Sequence, residues 1–180
     1  MLFPIDAFKT LVGTFSRSNR FEISIPGLNI QQQLLCNSAQ FPGIGITYEE
    51  IYRDGPQARK IANGLMNEDI QLGFLLDGNY GSRRFFENWK DRVVKTENGT
   101  KRLGFYKDYV QDVEIYQLDG FHTRTNGALL KDCYPTILSP IDFSSDAENT
   151  IATFSVTLHF HEYEMIGGTF PFPVTFPFTR

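Results

Sequence analysis

Cysteine is scarce in this chain, with two residues, and histidine numbers only three. Cys36 and Cys133 lie far apart and match no metal-ligand spacing. With no secretory signal ahead of them, two buried free thiols are expected rather than a disulfide. Positive charge is short as well. The net charge of −4 argues against a chain that grips nucleic acid by its phosphates. Long hydrophobic runs are missing. Met1 to Val12 is apolar in part but contains Pro4, Asp6 and Lys9 and is too short to span a bilayer. A soluble chain made in a cytoplasm, with no membrane partner, is expected. Asn98-Gly99-Thr100 fits a glycosylation sequon, which means little without secretion.

Catalytic signatures are also lacking. There is no Gly-rich phosphate loop, no Gly-x-Ser-x-Gly and no paired-His helix motif. Of the three histidines, His159 and His161 share one strand face while His122 lies elsewhere. Two such histidines could ligate a metal in a jelly-roll enzyme, the rival reading from another class. No carboxylate of the same strand joins them, because Glu162 and Glu164 fall on the opposite face. Asp112 and Glu114 share a face too, but acidic strand faces are usually just solvated. No catalytic residue, no metal site and no cofactor is expected.

What the chain has is phenylalanine and alternation. Phe numbers 17 and aromatics make up 14% of 180 residues, which suits sheet packing in a single domain. Phe154, Val156, Leu158 and Phe160 alternate with Thr153, Ser155, Thr157, His159 and His161, the period of a half-buried strand. The strand before it is expected to stop near Cys133, because neither Pro135 nor Pro140 can donate to a ladder. Asp142, Ser144, Ser145, Asp146 and Asn149 supply turn chemistry between the two.

Earlier in the chain, residues 5–12 read as a short helix ended by Gly13. Phe21, Ile23 and Ile25 line the first strand. Gln32 to Ala39 reads as a second, with Leu34 and Cys36 inward and Phe41-Pro42-Gly43 closing it. Ile44–Arg53 and Lys60–Ala62 form a long hairpin whose tip, Arg53–Arg59, has almost nothing apolar of its own and is expected to be ordered by a partner. Met66 to Leu76 is a strand with Ile70, Leu72, Phe74 and Leu76 on the core face and Asp69 and Gln71 opposite. Ser82 is expected to cap a helix from Arg83 to Val94, with Phe85, Phe86, Trp89 and Val93 forming its apolar stripe. Thr96 to Leu103 reads as a polar loop. Val110 to Leu118 is a strand that places Val113 and Ile115 against Asp112, Glu114 and Tyr116, and Thr125 to Asp132 pairs with it or continues it. Charge is unevenly spread: residues 83–102 hold seven Lys/Arg against three acids, a local +4 that leaves −8 on the rest.

Several of these pieces together resemble a known family. They are an Arg-x-Asn-x-Phe opening (Arg17, Asn19, Phe21), a Cys-containing strand running into Pro-Gly, and the Phe-Phe-x-x-Trp helix (Phe85, Phe86, Trp89). The Tyr134-Pro135-Thr136 strand end and the Phe154-x-Val156-Thr157-Leu158 strand complete the set. Over Arg17 to Glu164 this order is similar to that of the tail tube proteins of contractile-tailed bacteriophages, whose fold is shared with the tubes of type VI secretion systems and bacteriocins. The resemblance implies a mainly β, α+β fold: an antiparallel β-barrel or two-sheet sandwich with one flanking helix over residues 1–164, followed by an extended Phe/Pro-rich arm over 165–180. It implies hexameric rings stacked into the inner tube of a contractile tail in the virion, synthesised in the host bacterial cytoplasm. The partners implied are further copies of the chain, the sheath protein, baseplate or tube-initiator proteins, and a tape measure protein and genomic DNA that pass without specific binding. A baseplate tube initiator and a secretion-system tube are the alternatives within the class.

Site residues follow from this reading as expectations. The hairpin Tyr52, Arg53, Asp54, Gly55, Pro56, Gln57 and Arg59 would contact the next ring. Asp69, Asp112 and Glu114 are the lumen candidates, and Arg84, Lys90, Arg92 and Lys95 would face a sheath. Phe170, Phe172, Phe176 and Phe178, interleaved with prolines, would form a docking arm, since four Phe left in water are an aggregation liability.

Overall fold

The alternation around Phe154 produces the central strand of the molecule. In the computed structural model, which describes residues 17–52, 58–97, 99–144 and 150–167, Phe154, Val156, Leu158 and Phe160 are all buried. They belong to strand β10, Thr153–His159, and the bend that follows it. The other strands are β1 (Phe21–Ser24), β2 (Cys36–Ala39), β3 (Ile44–Tyr52), β4 (Ala58–Asn67), β5 (Ile70–Leu75), β6 (Val94–Glu97), β7 (Thr100–Leu103), β8 (Gln111–Leu118), β9 (Arg124–Leu138) and β11 (Glu162–Gly167). Among the described residues three helices interrupt them: α1 (Ile30–Gln33), α2 (Gly81–Val93) and α3 (Tyr106–Tyr109).

The main ladder runs β1-β8-β9-β10-β5-β2, with β11 also on β9, and its pairings are antiparallel. β9 belongs to both sheets of the sandwich. Its first part pairs with β8 and β11, and its last part, from Tyr134 to Leu138, pairs with β10. The path stays open, because β1 and β2 lie at its two ends. A two-sheet arrangement forms rather than a closed barrel.

Strand β9 corrects the expectation that the chain leaves the sheet at Cys133. It continues through Pro135 to Leu138. Asp132 adopts a left-handed φ of 55°, which a short polar side chain tolerates, and its N–H donates to Asp112 Oδ1 at 3.1 Å. The strand turns there from one sheet into the other. Pro135 lies opposite Leu158, where the register slips between Thr157 and Leu158, so its missing N–H falls at an irregularity.

Four other boundaries differ from the sequence expectation. The stretch from Gln32 opens in a helical turn, in which Asn29 N–H donates to Gln32 Oε1 at 3.2 Å. Leu34 consequently points out, 79% exposed, and only Cys36–Ala39 is strand. The predicted strand from Met66 to Leu76 breaks at Glu68–Asp69, between β4 and β5. The polar segment after α2 is a hairpin, β6–β7, in which Lys95 faces Arg102. The long alternating strand is two strands, β10 and β11, separated at Phe160–His161.

The core fills the space between the sheets and is closed by α2. Phe86 and Trp89 are buried, Phe86 packs 5.1 Å from Phe74, and Phe74 stacks on Phe154 at 5.5 Å between ring centroids. Trp89 Nε1 donates to the Tyr109 carbonyl at 2.6 Å.

The cap of α2 is Asp77 rather than Ser82. Tyr80 turns the chain at φ 57°, and the Asp77 carboxylate accepts from Gly81 N at 2.8 Å, Ser82 N at 3.3 Å and Ser82 Oγ at 2.8 Å. Ser82 itself is buried inside the first turn. Burial would raise the Asp77 carboxyl, but the hydrogen bonds from Gly81 and Ser82 outweigh it and hold the group below its ordinary value. Asp77→Ala is expected to cost about 1 kcal/mol, the usual worth of an N-terminal cap. A folded pKa below the unfolded one means the contribution is full above the ordinary carboxylate range of about 4 and is lost as pH falls through the folded value. Urea titrations of both proteins at neutral and acid pH check this, the gap between them closing in acid.

Candidate assembly surfaces

β3 and β4 form a two-stranded sheet of their own, separate from the main ladder. The register Ile46↔Leu65 and the alternation of β3 place Ile44, Ile46, Tyr48 and Leu65 on one face. All four are exposed, Ile46 by 65% and Leu65 by 77%. Further along the same face Lys60 donates to the Tyr48 hydroxyl at 3.1 Å and lies 3.6 Å from Glu50. Tyr52 and Arg59, two of the expected inter-ring residues, are exposed at the far end of this ribbon. Arg53, Asp54, Gly55, Pro56 and Gln57 lie outside the described residues.

A second surface is the outer face of the sheet containing β1, β8, β9 and β11. Its carboxylates Glu22, Asp112, Glu114, Glu162 and Glu164 outnumber its cations Arg124 and Lys131. Arg124 holds Glu22 through two hydrogen bonds, at 2.7 and 3.1 Å, and lies 4.2 Å from the centre of the Tyr116 ring. The Arg124 hydrogen bond lowers the Glu22 carboxyl. Lys131 bridges Glu164 and Glu162. Two of the expected lumen residues, Asp112 and Glu114, therefore share one acidic face. The third does not join them. Asp69 sits just before β5, where its Oδ1 lies 2.7 Å from His159 Nδ1.

The third surface is basic. Arg84, Lys90 and Arg92 are exposed on α2, and Lys95 is exposed on β6. Like charges directly opposite on a two-stranded ribbon, here Lys95 and Arg102, oppose its pairing. Beside them Leu103 and Phe105 are 80% and 82% exposed.

No group of three or more His, Cys, Asp or Glu side chains comes together as a metal site among the described residues. His159 does meet a carboxylate, but it is Asp69 from another element and not one from its own strand. A groove of about 490 Å³ opens on the polar face of β2, β5 and β10, lined by Asn37, Ser38, Gln40, Gln71 and Ser155 with Asp142 at its side. Its amides and hydroxyls can hold water or a polar chain. Cys36 and Cys133 are free thiols, Cys133 buried and Cys36 only partly so, and burial pushes both up to about 12, which leaves almost no thiolate at neutral pH. No described helix is long and apolar enough to cross a membrane.

The sequence matches the family model described as phage tail tube protein over residues 3–166. The chain belongs to the phage tail tube protein family. Solved structures share its fold at low identity. The chain in the sheath-tube complex of an extracellular contractile injection system in the extended state is 18% identical, with a TM-score of 0.64 over 89% of this chain and 97% of that one. The chain in the sheath/tube terminator of such a system is 19% identical, with a TM-score of 0.62 over 84% and 96%. The chain in the tube-terminating cap of the anti-feeding prophage is 17% identical, with a TM-score of 0.63 over 86% and 92%. No curated protein sequence matches the chain.

Sequence reasoning found the hairpin but missed its apolar face. The signal was present in Ile44, Ile46 and Tyr48, yet such alternation ordinarily marks a face turned to the chain's own core. The Phe arm, Phe170, Phe172, Phe176 and Phe178, lies outside the described residues.

Proposed function

We propose that the protein forms rings, hexameric as the family resemblance implies, which stack into the inner tube of a contractile tail and leave a lumen for DNA and the tape measure protein. The observation that carries this reading is the free-standing β3–β4 ribbon. Each large apolar side chain on it would contribute roughly 1.5–3 kcal/mol on burial, and a ribbon exposed on both faces has little stability alone. A second copy in the next ring is the natural cover. Lateral contacts follow from the open ladder, whose outermost strands offer unpaired backbone to a neighbour.

The acidic face carrying Asp112 and Glu114 suits a lumen that must pass DNA without holding it, since like charge repels within a Debye length of about 8 Å. The basic face of α2 and β6–β7 then lies outside, towards an acidic sheath surface. A baseplate or initiator protein meets one end of the tube. The Phe/Pro arm docks on its own sandwich or across a neighbouring subunit. A terminator or initiator role at a tube end is the second reading, favoured by neighbours in a terminator and a cap whose TM-scores equal that of the tube protein within 0.02.

Light scattering on concentrated protein tests the ring. The expected mass is six copies of the 20.6 kDa chain, held by obligate interfaces of more than about 2,000 Å². A monomer at high concentration contradicts it.

A further inference from the structure

Among the described residues the β3–β4 ribbon is fastened to the sandwich near its root: Gln40 N–H donates to the Gln71 carbonyl at 3.1 Å on the side of β2, and on the side of β5 the fastening is made by side chains. β4 ends at Asn67 and β5 begins at Ile70, so Glu68 and Asp69 alone link the ribbon to the ladder on that side. At this point Asn67 Nδ2 donates to the His161 carbonyl at 2.6 Å, and Asp69 Oδ1 lies 2.7 Å from His159 Nδ1. Both partners, His159 Nδ1 and the His161 carbonyl, belong to the corner between β10 and β11, and His161 N–H is itself held by the Lys131 carbonyl at 3.1 Å. His159 also packs on Tyr134, with ring centroids 5.3 Å apart. The backbone bond across the root, Glu68 N to Gly43 O, is long at 3.5 Å. It cannot fix a direction by itself.

We infer that Asp69–His159 and Asn67–His161 form a latch that sets the angle of the β3–β4 ribbon relative to the sandwich. Leu158 pairs with Ile70, so Asp69 and His159 extend that ladder by one side-chain pair at the place where the chain leaves it. Opening the latch frees the two-residue link, and links of this kind absorb hinge motion. Asp69 is thus a positioning residue at the root of the ribbon rather than a member of the acidic face. The consequence for assembly rests on the proposed stacking role of the ribbon, since a ribbon at a variable angle meets the next ring with fewer productive encounters. The latch itself does not depend on that role.

The test places nitroxides at Tyr52→Cys on the ribbon and Lys90→Cys on α2, in a Cys36→Ser background that leaves the buried Cys133 in place, and reads their distance distribution in dilute, unassembled protein. The parent is expected to give one narrow distance. The Asn67→Ala/Asp69→Ala variant and, separately, His159→Ala are expected to widen it about twofold while the core stays folded. The exchange Asp69→His/His159→Asp, which restores the pair, is expected to narrow it again. An unchanged width in both alanine variants overturns the latch, and so does an exchange variant as broad as they are. Widening with normal tube formation keeps the latch and removes the ribbon from stacking, so the two ideas fail separately.

Discussion

Replacing Arg53–Arg59 by a short Gly-Ser turn is expected to leave rings intact and stop them stacking into tubes. The shortened chain keeps the core strands β1, β5, β8, β9 and β10, none of which pairs with the ribbon, so the domain folds as before. The point variants Ile46→Glu and Leu65→Glu test the ribbon body in the same way. They sit opposite each other and are both exposed in the single chain, so neither disturbs the monomer. In a stacked contact each loses roughly 1.5–3 kcal/mol of burial and adds a desolvated charge, and a tenfold loss of affinity follows from each 1.4 kcal/mol or so. Sedimentation of tubes against rings, with the melting temperature as a control, reads the result. Tubes of normal length from the double variant would place the ring contacts elsewhere.

Trp89→Ala is expected to be the most damaging single change to the fold. Trp89 is 1% exposed, lies 6.2 Å from Phe86 in a stacked arrangement, and donates to the Tyr109 carbonyl. Removing it empties a large volume where α2 closes the sandwich, at a cost of about 3–5 kcal/mol. It also leaves the Tyr109 carbonyl without its indole donor. Trp89→Phe keeps most of the volume and loses mainly the hydrogen bond, about 1–3 kcal/mol when the partner is left unsatisfied. Urea unfolding midpoints at constant slope separate the two losses. Equal destabilisation by Ala and Phe would show that the hydrogen bond, and not the packing, dominates.

Legibility in the sequence followed how local each determinant is. β10 was readable because one face is buried against the core, which forces period-two alternation on Phe154, Val156 and Leu158. Most of α2 was readable for the same reason at the helical period, through Phe86 and Trp89. Its cap was not, because Asp77 and Ser82 are both capping residues and only the left-handed turn at Tyr80 decides between them. The passage of β9 through Pro135 was hidden as well. It depends on a kink at Asp132 held by Asp112, a residue on another strand. The face shared by Asp112 and Glu114 could be read from one strand, whereas the removal of Asp69 from it arises from a contact with His159, 90 residues away in sequence. The exposed apolar face of the ribbon went unread, because alternation reports that a face is covered, not which chain covers it.

Cryo-electron microscopy of the assembled protein tests the central claim most directly. The account predicts stacked sixfold rings, with β3–β4 ribbons crossing from one ring to the next, Asp112 and Glu114 on the channel wall, and α2 with β6–β7 on the outside. A channel lined by Arg84, Lys90 and Lys95, or a ring whose ribbons touch no neighbouring ring, would contradict it.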